Sequence, residues 1–476
     1  MKKIVSINIS IVLLIIIIIL MFAVNLSSHS ICGECLLLVA IAFIIYFSNQ
    51  QGSQLRGWWI RPSNILLFGL LIVNLQYIID FTLGYKTISN FVSPWSLNYC
   101  AAIGSAGIIS FIIGNLTSKT IRQQAPFAPN NTSGCFFLYL IQAVSFIGWI
   151  LSVDLISLIT GATYGDGTWT WDGGLSASLE GLIYASTITI LVFKIIKSSD
   201  DEPKNLRSFI KSFSFSFWLF VTLYLTIRIL SGDRGPFIYT TLSIFFSYII
   251  ISKRKIAFQY VLAGVVIFAV FLILIGIART QSATLSVSEK LSIALQSYDK
   301  ARFSDATVFV PTEELAYSFR CNETAVNEIK NGAKFHYGKY QLFALLNCIP
   351  FMPSFMYNKL KIPITELSSD YYLTEAYFGD YSISGQIGTT VVADFFLDFG
   401  LLGVIVGMFL VGLFFKQVDN NICISNSSSL SVIAVIITLA FASNAIYIPR
   451  ATFLGQLKPT VIILVLFYLN KLISSK

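Results

Sequence analysis

The chain opens on Lys2 and Lys3 followed by an unbroken apolar run from Ile4 to Val24, and runs like it recur to the C-terminal end. About 20 consecutive apolar residues is the length that crosses the hydrocarbon core of a bilayer as a helix. Lipid offers no partner to backbone N–H and C=O groups, so a chain of this kind must satisfy them internally, and continuous rather than alternating apolar runs do so as helices. The first run is too long for a signal-peptide core, ends without a small-x-small cleavage pattern and is followed by others, so it reads as a retained helix. Composition agrees. Hydrophobic residues make up 55% of the 476 and charged residues 12%, with a mean hydropathy of +0.75. Soluble domains carry about 25% charged residues, because their surface faces water. The net charge of +8 does not indicate a nucleic-acid partner, since the cations fall in short loops between apolar runs, where membrane topology accounts for them.

Twelve spans are expected: Ile4–Val24, Leu36–Tyr46, Ile65–Phe81, Tyr99–Leu116, Phe136–Val153, Leu179–Ile196, Phe213–Leu230, Pro236–Ile251, Ile256–Ile277, Val392–Phe415, Leu430–Ile448 and Pro459–Leu469. With the N-terminus inside, the cytoplasmic loops hold Arg56 and Arg61, Lys119 and Arg122, Lys197 to Lys211, Lys253 to Lys255, Lys416, and Lys471 and Lys476. The opposite short loops hold far fewer cations, which is the positive-inside bias of a chain with both termini cytoplasmic. The expected fold is therefore all-α and polytopic. Residues 1–277 carry spans one to nine with an outer loop at 154–178. Residues 278–386 form a large outer loop folded mostly as a helical cap, and 387–476 carry spans ten to twelve. Loops this long are usually functional. There is no internal repeat, the usual mark of a transporter.

The first candidate site is Ser231-Gly232-Asp233-Arg234-Gly235-Pro236. Pro236 suits a first helical turn, and a helix N-terminus offers free N–H groups and partial positive charge to a phosphate. Arg234 adds a planar fork of donors. Arg228 lies inside the preceding span, where a charge needs a reason to be; the alternative to a phosphate role is that it snorkels outward and pairs with Asp233. Arg279, Arg302, Arg320 and Arg450 gather on the same outer side, where topology does not call for them. Two or more cations suit a diphosphate, although each could instead pair with an acid such as Glu313, Glu314 or Glu323. His336, one of two histidines, has the titration range of a general base. Asp370, Glu375 and Asp380 sit in an aromatic and acidic stretch with Tyr377; together with Tyr340, Trp169 and Trp171 these aromatics fit either sugar stacking or an interfacial belt. Asp394 and Asp398 share one helical face, where like charges repel, and are expected at the outer interface, with Gly400 and Gly403 allowing close packing.

Cys321 and Cys348 are placed to form a disulfide on an oxidising side. No histidine accompanies the cysteines at metal-ligand spacing, and no P-loop or dinucleotide fingerprint occurs, so neither metal nor cofactor is expected.

The turn at 231–236, the large loop after the ninth span, and Gly385-Gln386-Ile387-Gly388-Thr389-Thr390 leading into Asp398-Phe399-Gly400-Leu401-Leu402-Gly403 resemble the bacterial O-antigen polymerases of the Wzy class. The likeness in layout covers nearly the whole chain. It implies a glycosyltransferase of the inner membrane, active at the periplasmic face without metal or cofactor. The donor would be a growing glycan on undecaprenyl diphosphate and the acceptor a lipid-linked repeat unit, with a chain-length regulator and a flippase as pathway partners. Arg234 and Arg279 would stabilise the leaving diphosphate, helped by Arg228, Arg320 and Arg450. His336 or Glu375 would act on the acceptor hydroxyl, and Trp169, Trp171, Tyr340 and Tyr377 would bind glycan. An O-antigen ligase or a lipid-linked oligosaccharide flippase is the alternative.

Overall fold

The computed structural model describes the chain outside residues 1, 25–29, 51–59, 85–92, 119–133, 156–157, 159–172, 198–204, 232–233, 253–258, 260–263, 265–311, 350–351, 382–386, 424–430 and 475–476. The described residues form eighteen α-helices. The first nine are α1 (Lys2–Val24), α2 (Cys32–Gln50), α3 (Pro62–Thr82), α4 (Pro94–Thr117), α5 (Phe136–Ser152), α6 (Gly173–Lys197), α7 (Leu206–Lys211), α8 (Phe215–Leu230) and α9 (Arg234–Ser252). Six short ones follow: α10 (Glu313–Ala316), α11 (Phe319–Lys330), α12 (Lys339–Leu346), α13 (Met352–Asn358), α14 (Ile364–Leu367) and α15 (Ser369–Phe378). The chain ends with α16 (Val391–Cys423), α17 (Val432–Asn444), two 3-10 turns at Ile448–Arg450 and Phe453–Gln456, and α18 (Leu457–Ser474). Eight helices are long and apolar enough to cross a membrane, and Phe136–Ser152, Phe215–Leu230 and Val432–Asn444 are shorter apolar helices. The protein is thus an all-helical, polytopic membrane protein. The segment expected as the ninth span lies, but for Gln259 and Gly264, outside the described residues.

Contacts divide the chain into two compact units that do not follow chain order: residues 1–121, 312–420 and 445–458 in one, 122–311, 421–444 and 459–476 in the other. In the first unit α4 is the central helix. It is apolar all round, as a helix surrounded by others must be, and α1, α2 and α3 pack around it. Its Gly114 lies so close to the Phe409 carbonyl of α16 that a Cβ would overlap it, and Gly412 of α16 meets the Phe111 carbonyl in the same way. Small residues at a crossing let two backbones approach where lipid gives no hydrophobic drive between helices. At the far end of α16, Asp419 is buried and accepts from the Ser63 backbone N–H at 3.0 Å and the Ser63 hydroxyl at 2.5 Å. It thereby satisfies donors in the first turn of α3 that the helix itself leaves unbonded.

α16 is two arms joined at a kink, with Phe399 at φ −143°, ψ 20° and Gly400 at φ 61°, ψ −148°. Only glycine adopts the second conformation without strain. The arms fold against each other through Phe395, whose carbonyl lies over Gly403 and whose ring lies over Gly407.

In the second unit α5, α6, α8, α9 and α17 pack together. Phe146 and Trp149 of α5, Ile183 of α6 and Tyr224 of α8 form its buried cluster. Around it Gln142 donates to Thr187 at 2.9 Å and Asn444 donates to the Tyr184 hydroxyl at 3.0 Å, while Gln142 Oε1 and Trp149 Nε1 are buried without a hydrogen-bond partner.

Candidate functional site

The kink in α16 positions the first unit's polar site. A helix that stops leaves its last carbonyls without intrahelical donors, and here two of them are taken up from another segment. The His336 backbone N–H donates to the Leu397 carbonyl at 3.0 Å, and Tyr337 donates to the Asp398 carbonyl at 2.9 Å. Gly338, at φ 84°, then turns the chain into α12. His336 is therefore pinned to the kink by its own backbone.

Its imidazole packs between two phenol rings, Tyr340 at 4.7 Å and Tyr372 at 5.0 Å between centroids. Nε2 is buried with no hydrogen-bond partner. Burial, and next the Lys339 ammonium, push the His336 pKa below its usual value, while Glu366 pulls it up. The ring is accordingly neutral at neutral pH and able to accept a proton. Burial likewise raises the phenols of Tyr340 and Tyr372, the second also through Glu328, to which its hydroxyl donates at 3.1 Å.

Beneath this ring stack lie Asp394 and Asp398, one turn apart in the first arm of α16 and both 0% exposed. Within the protein both side chains are enclosed, with the first arm of α16 folded against the second at the kink. Asp394 Oδ1 accepts from the Ser369 hydroxyl at 2.5 Å and the Thr389 hydroxyl at 2.5 Å, whereas its Oδ2 has no hydrogen-bond partner. The Asp398 carboxylate faces the backbone amides of Gly338 and Tyr340, and neither oxygen makes a hydrogen bond. Thr390 starts the helix, accepting from the Ala393 N–H at 2.9 Å, as an N-cap does. Its hydroxyl donates to Asn322, which in turn donates to Asn74 at 2.8 Å.

Of the arginines, Arg320 and Arg450 both act on the buried thiol of Cys321, whose pKa burial nevertheless pushes up to about 12. Arg320 also lies over the Tyr377 ring at 5.9 Å. Glu375 is exposed on α15. Cys321 and Cys348 are separate thiols rather than the expected disulfide; Cys321 donates to the Ile387 carbonyl and Cys348 to that of Ala344. Glu323 is buried, its pKa raised to about 6 by that burial against hydrogen bonds from Asn327 and Ser96.

In the second unit Arg228 is buried rather than turned outward, and Asp233 lies outside the described residues. It is 2% exposed, ion-paired to Glu180 of α6 and stacked over Trp149 at 4.9 Å. The Tyr224 hydroxyl donates to the same glutamate at 2.7 Å. Arg234 stands in the first turn of α9, two residues before the expected start at Pro236. Its side chain, like Asp233, Arg279, Arg302, Trp169 and Trp171, lies outside what the structure describes.

Sequence reasoning missed Ser369, Thr389, Thr390, Asn322 and Asn74. Paired threonines just ahead of an acidic helix were the available signal, since that pattern caps helices. The site thus brings together a neutral imidazole, two phenols and two buried carboxylates, a set suited to orienting a hydroxyl and taking its proton. Among the described residues no group of three or more His, Cys, Asp or Glu could hold a metal ion.

Set against known families, the chain matches the model for "O-antigen polysaccharide polymerase Wzy" over residues 6–475. No curated protein and no solved structure matches it.

Proposed function

Because the chain belongs to the O-antigen polysaccharide polymerase Wzy family, we propose that it joins lipid-linked repeat units at the periplasmic face of the inner membrane, with undecaprenyl diphosphate as the donor's leaving group. In this reading the terminal hydroxyl of an acceptor repeat unit attacks the anomeric carbon of the growing glycan. The new C–O bond forms as the bond to the diphosphate breaks, and undecaprenyl diphosphate departs with the electron pair. The hydroxyl proton passes to His336 Nε2. The observation that carries this assignment is the neutral, half-buried imidazole fixed by its backbone to the kink of α16, with Nε2 left without a partner. Glu375, the other acid or base expected in the loop, is exposed on α15. Tyr340 and Tyr377 supply aromatic surface for glycan, with Trp169 and Trp171 assigned to the same task on sequence grounds.

A transferred glycan with diphosphate as leaving group needs developing negative charge stabilised by fixed cations. Arg320 and Arg450, which both lie near Cys321, are assigned to the diphosphate from the sequence pattern. Arg234 and Arg279, with Arg228, are assigned to it on the same ground. A chain-length regulator and a flippase complete the proposed pathway setting.

Deleting the protein in its host, and complementing with wild type, with His336→Gln and with Arg234→Ala, tests the reading on a gel of the surface polysaccharide. Loss of the ladder with one repeat unit still attached to lipid A-core, restored by wild type alone, is the expected result. Loss of every capped form, the single unit included, would overturn it in favour of a ligase or a flippase.

A further inference from the structure

The wall of Tyr340 that closes over His336 also borders a cavity of about 290 Å³ in the same unit. Tyr340 and Ser369 make its buried floor, Asn347, Thr452 and Gln456 contribute to its sides, and the exposed Lys458 stands at the rim. We propose that this cavity is the subsite for the terminal sugar of the acceptor repeat unit, a proposal that rests on the polymerase reading.

Four observations lead there. The first is size. The cavity lies at the lower end of the roughly 300–1,000 Å³ typical of small-molecule sites, which is room for one sugar ring and not for a repeat unit or a polyprenyl chain. The second is chemistry. Its lining alternates hydroxyl, amide and one aromatic group with the apolar Ala344, Pro353 and Leu367, the combination that meets a ring with hydroxyls on its edges and C–H groups on its faces. An acyl chain would ask for an apolar lining, and a diphosphate for the arginine forks that this lining lacks among the described residues.

The third is unspent hydrogen-bonding capacity. Asn347 keeps its Oδ1 without a partner. Under the floor, the Ser369 hydroxyl donates its hydrogen bond to Asp394, so only its lone pairs remain for a ligand. Asp394 is 0% exposed and does not line the cavity, but Ser369 and Thr452, which do, both lie against its carboxylate. The lining thus offers amide and hydroxyl groups that both donate and accept, from Asn347, Thr452 and Gln456, which matches a polyol, itself a donor and an acceptor at every hydroxyl. The fourth is placement. Tyr340 is shared by the cavity and the His336 ring stack, so a sugar seated here stands one ring away from the proposed base. Asp394 is a positioning residue in this account, holding Ser369 and Thr452 to shape the pocket.

The test uses the full-length protein in nanodiscs, the lipid-linked repeat unit of its own host as acceptor, and saturating donor. Thr452→Ala removes one hydrogen bond at a partly exposed position, and Ala344→Leu fills the cavity from α12. Each is expected to raise KM for the acceptor by about three- to tenfold, with kcat nearly unchanged and thermal unfolding at the wild-type temperature. Should Ala344→Leu fail to fold, Thr452→Ala and Gln456→Ala carry the comparison. Unchanged KM in folded variants, or a fall in kcat alone, overturns the subsite and leaves the polymerase standing. A KM that responds to Lys458→Gln but not to Thr452→Ala means that the cavity reads charge, which also overturns it. A wild-type protein that makes no polymer from its repeat unit overturns the polymerase reading and the subsite with it.

Discussion

Each of the two units buries charge, and they do so in opposite ways. In one, Arg228 is matched by a carboxylate, an aromatic face and a tyrosine that donates to that carboxylate. In the other, Asp394 and Asp398 are answered by hydroxyls and backbone amides rather than by a cation, and three of their four oxygens make no hydrogen bond. Both arrangements incur a desolvation cost. The first recovers much of it locally, from the paired carboxylate and the ring face. The second leaves acceptor capacity unfilled in carboxylates that lie behind an imidazole and a polar cavity, and departures of this kind from local satisfaction are found at functional sites. The comparison teaches that a buried charge is informative according to what answers it. The arginine that drew attention first, because it breaks an apolar span, is the one with a sufficient structural account.

The strongest test of that contrast is to break the ion pair. Arg228→Met should lower stability by about 3–5 kcal/mol, because it strands Glu180 in an apolar core. Arg228→Met with Glu180→Leu should recover most of the loss, since replacing both charges by apolar groups removes the stranded one. Thermal unfolding in nanodiscs measures both. A double variant that is stable and still polymerises would remove Arg228 from the proposed diphosphate contacts. One that is stable but inactive would give the residue a second duty and blur the contrast.

On the other side of the comparison, His336→Gln is expected to reduce turnover by about 10²–10⁴-fold, the usual worth of a positioned base, with little change in unfolding temperature. The wild-type pH profile should carry the signature of its environment. Burial and Lys339 lower the His336 pKa, so the ring stays deprotonated to more acidic conditions than a free imidazole. The acid limb of turnover should therefore fall below the ordinary value of about 6.5. A limb at or above that value would sink the assignment of His336, as would a profile that survives in His336→Gln.

The sequence was legible where one periodicity or one residue type carries the signal. Ile4–Val24 could be read as α1 from its apolar length alone, and the start of α9 from the Gly-Pro pair beside Arg234. Arg228 stood out for the same reason, but Glu180 lies 48 positions earlier in the chain (228 − 180 = 48), and nothing local names it as the partner. The kink at Phe399 and Gly400 was illegible, although Gly400 was noticed. A glycine in an apolar run fits a packing contact and a reversal equally well, and only the fit of Phe395 over Gly403 and Gly407 decides. The burial of Asp394 and Asp398 was illegible too, because it depends on Ser369, Thr389 and His336, brought in from outside their helix.

The smallest expected effect calibrates the largest. Lys339 donates to Glu366 at 2.6 Å, a contact as short as a good buried ion pair, yet the side chains are 30% and 52% exposed. Water already solvates both groups, and holding two flexible side chains costs entropy, so Glu366→Gln should change stability by about 0.2–1 kcal/mol at most. The effect should fade further in salt, because exposed charges are screened. If geometry alone set the worth of an ion pair, this substitution would rival Arg228→Met. A difference of several-fold between the two, measured by unfolding in the same nanodiscs, isolates burial as the cause. Glu366 also raises the His336 pKa, so the same variant should shift the acid limb of turnover slightly further down. A fall in stability as large as that of Arg228→Met, with no movement of the limb, would break the contrast between the two units at its base.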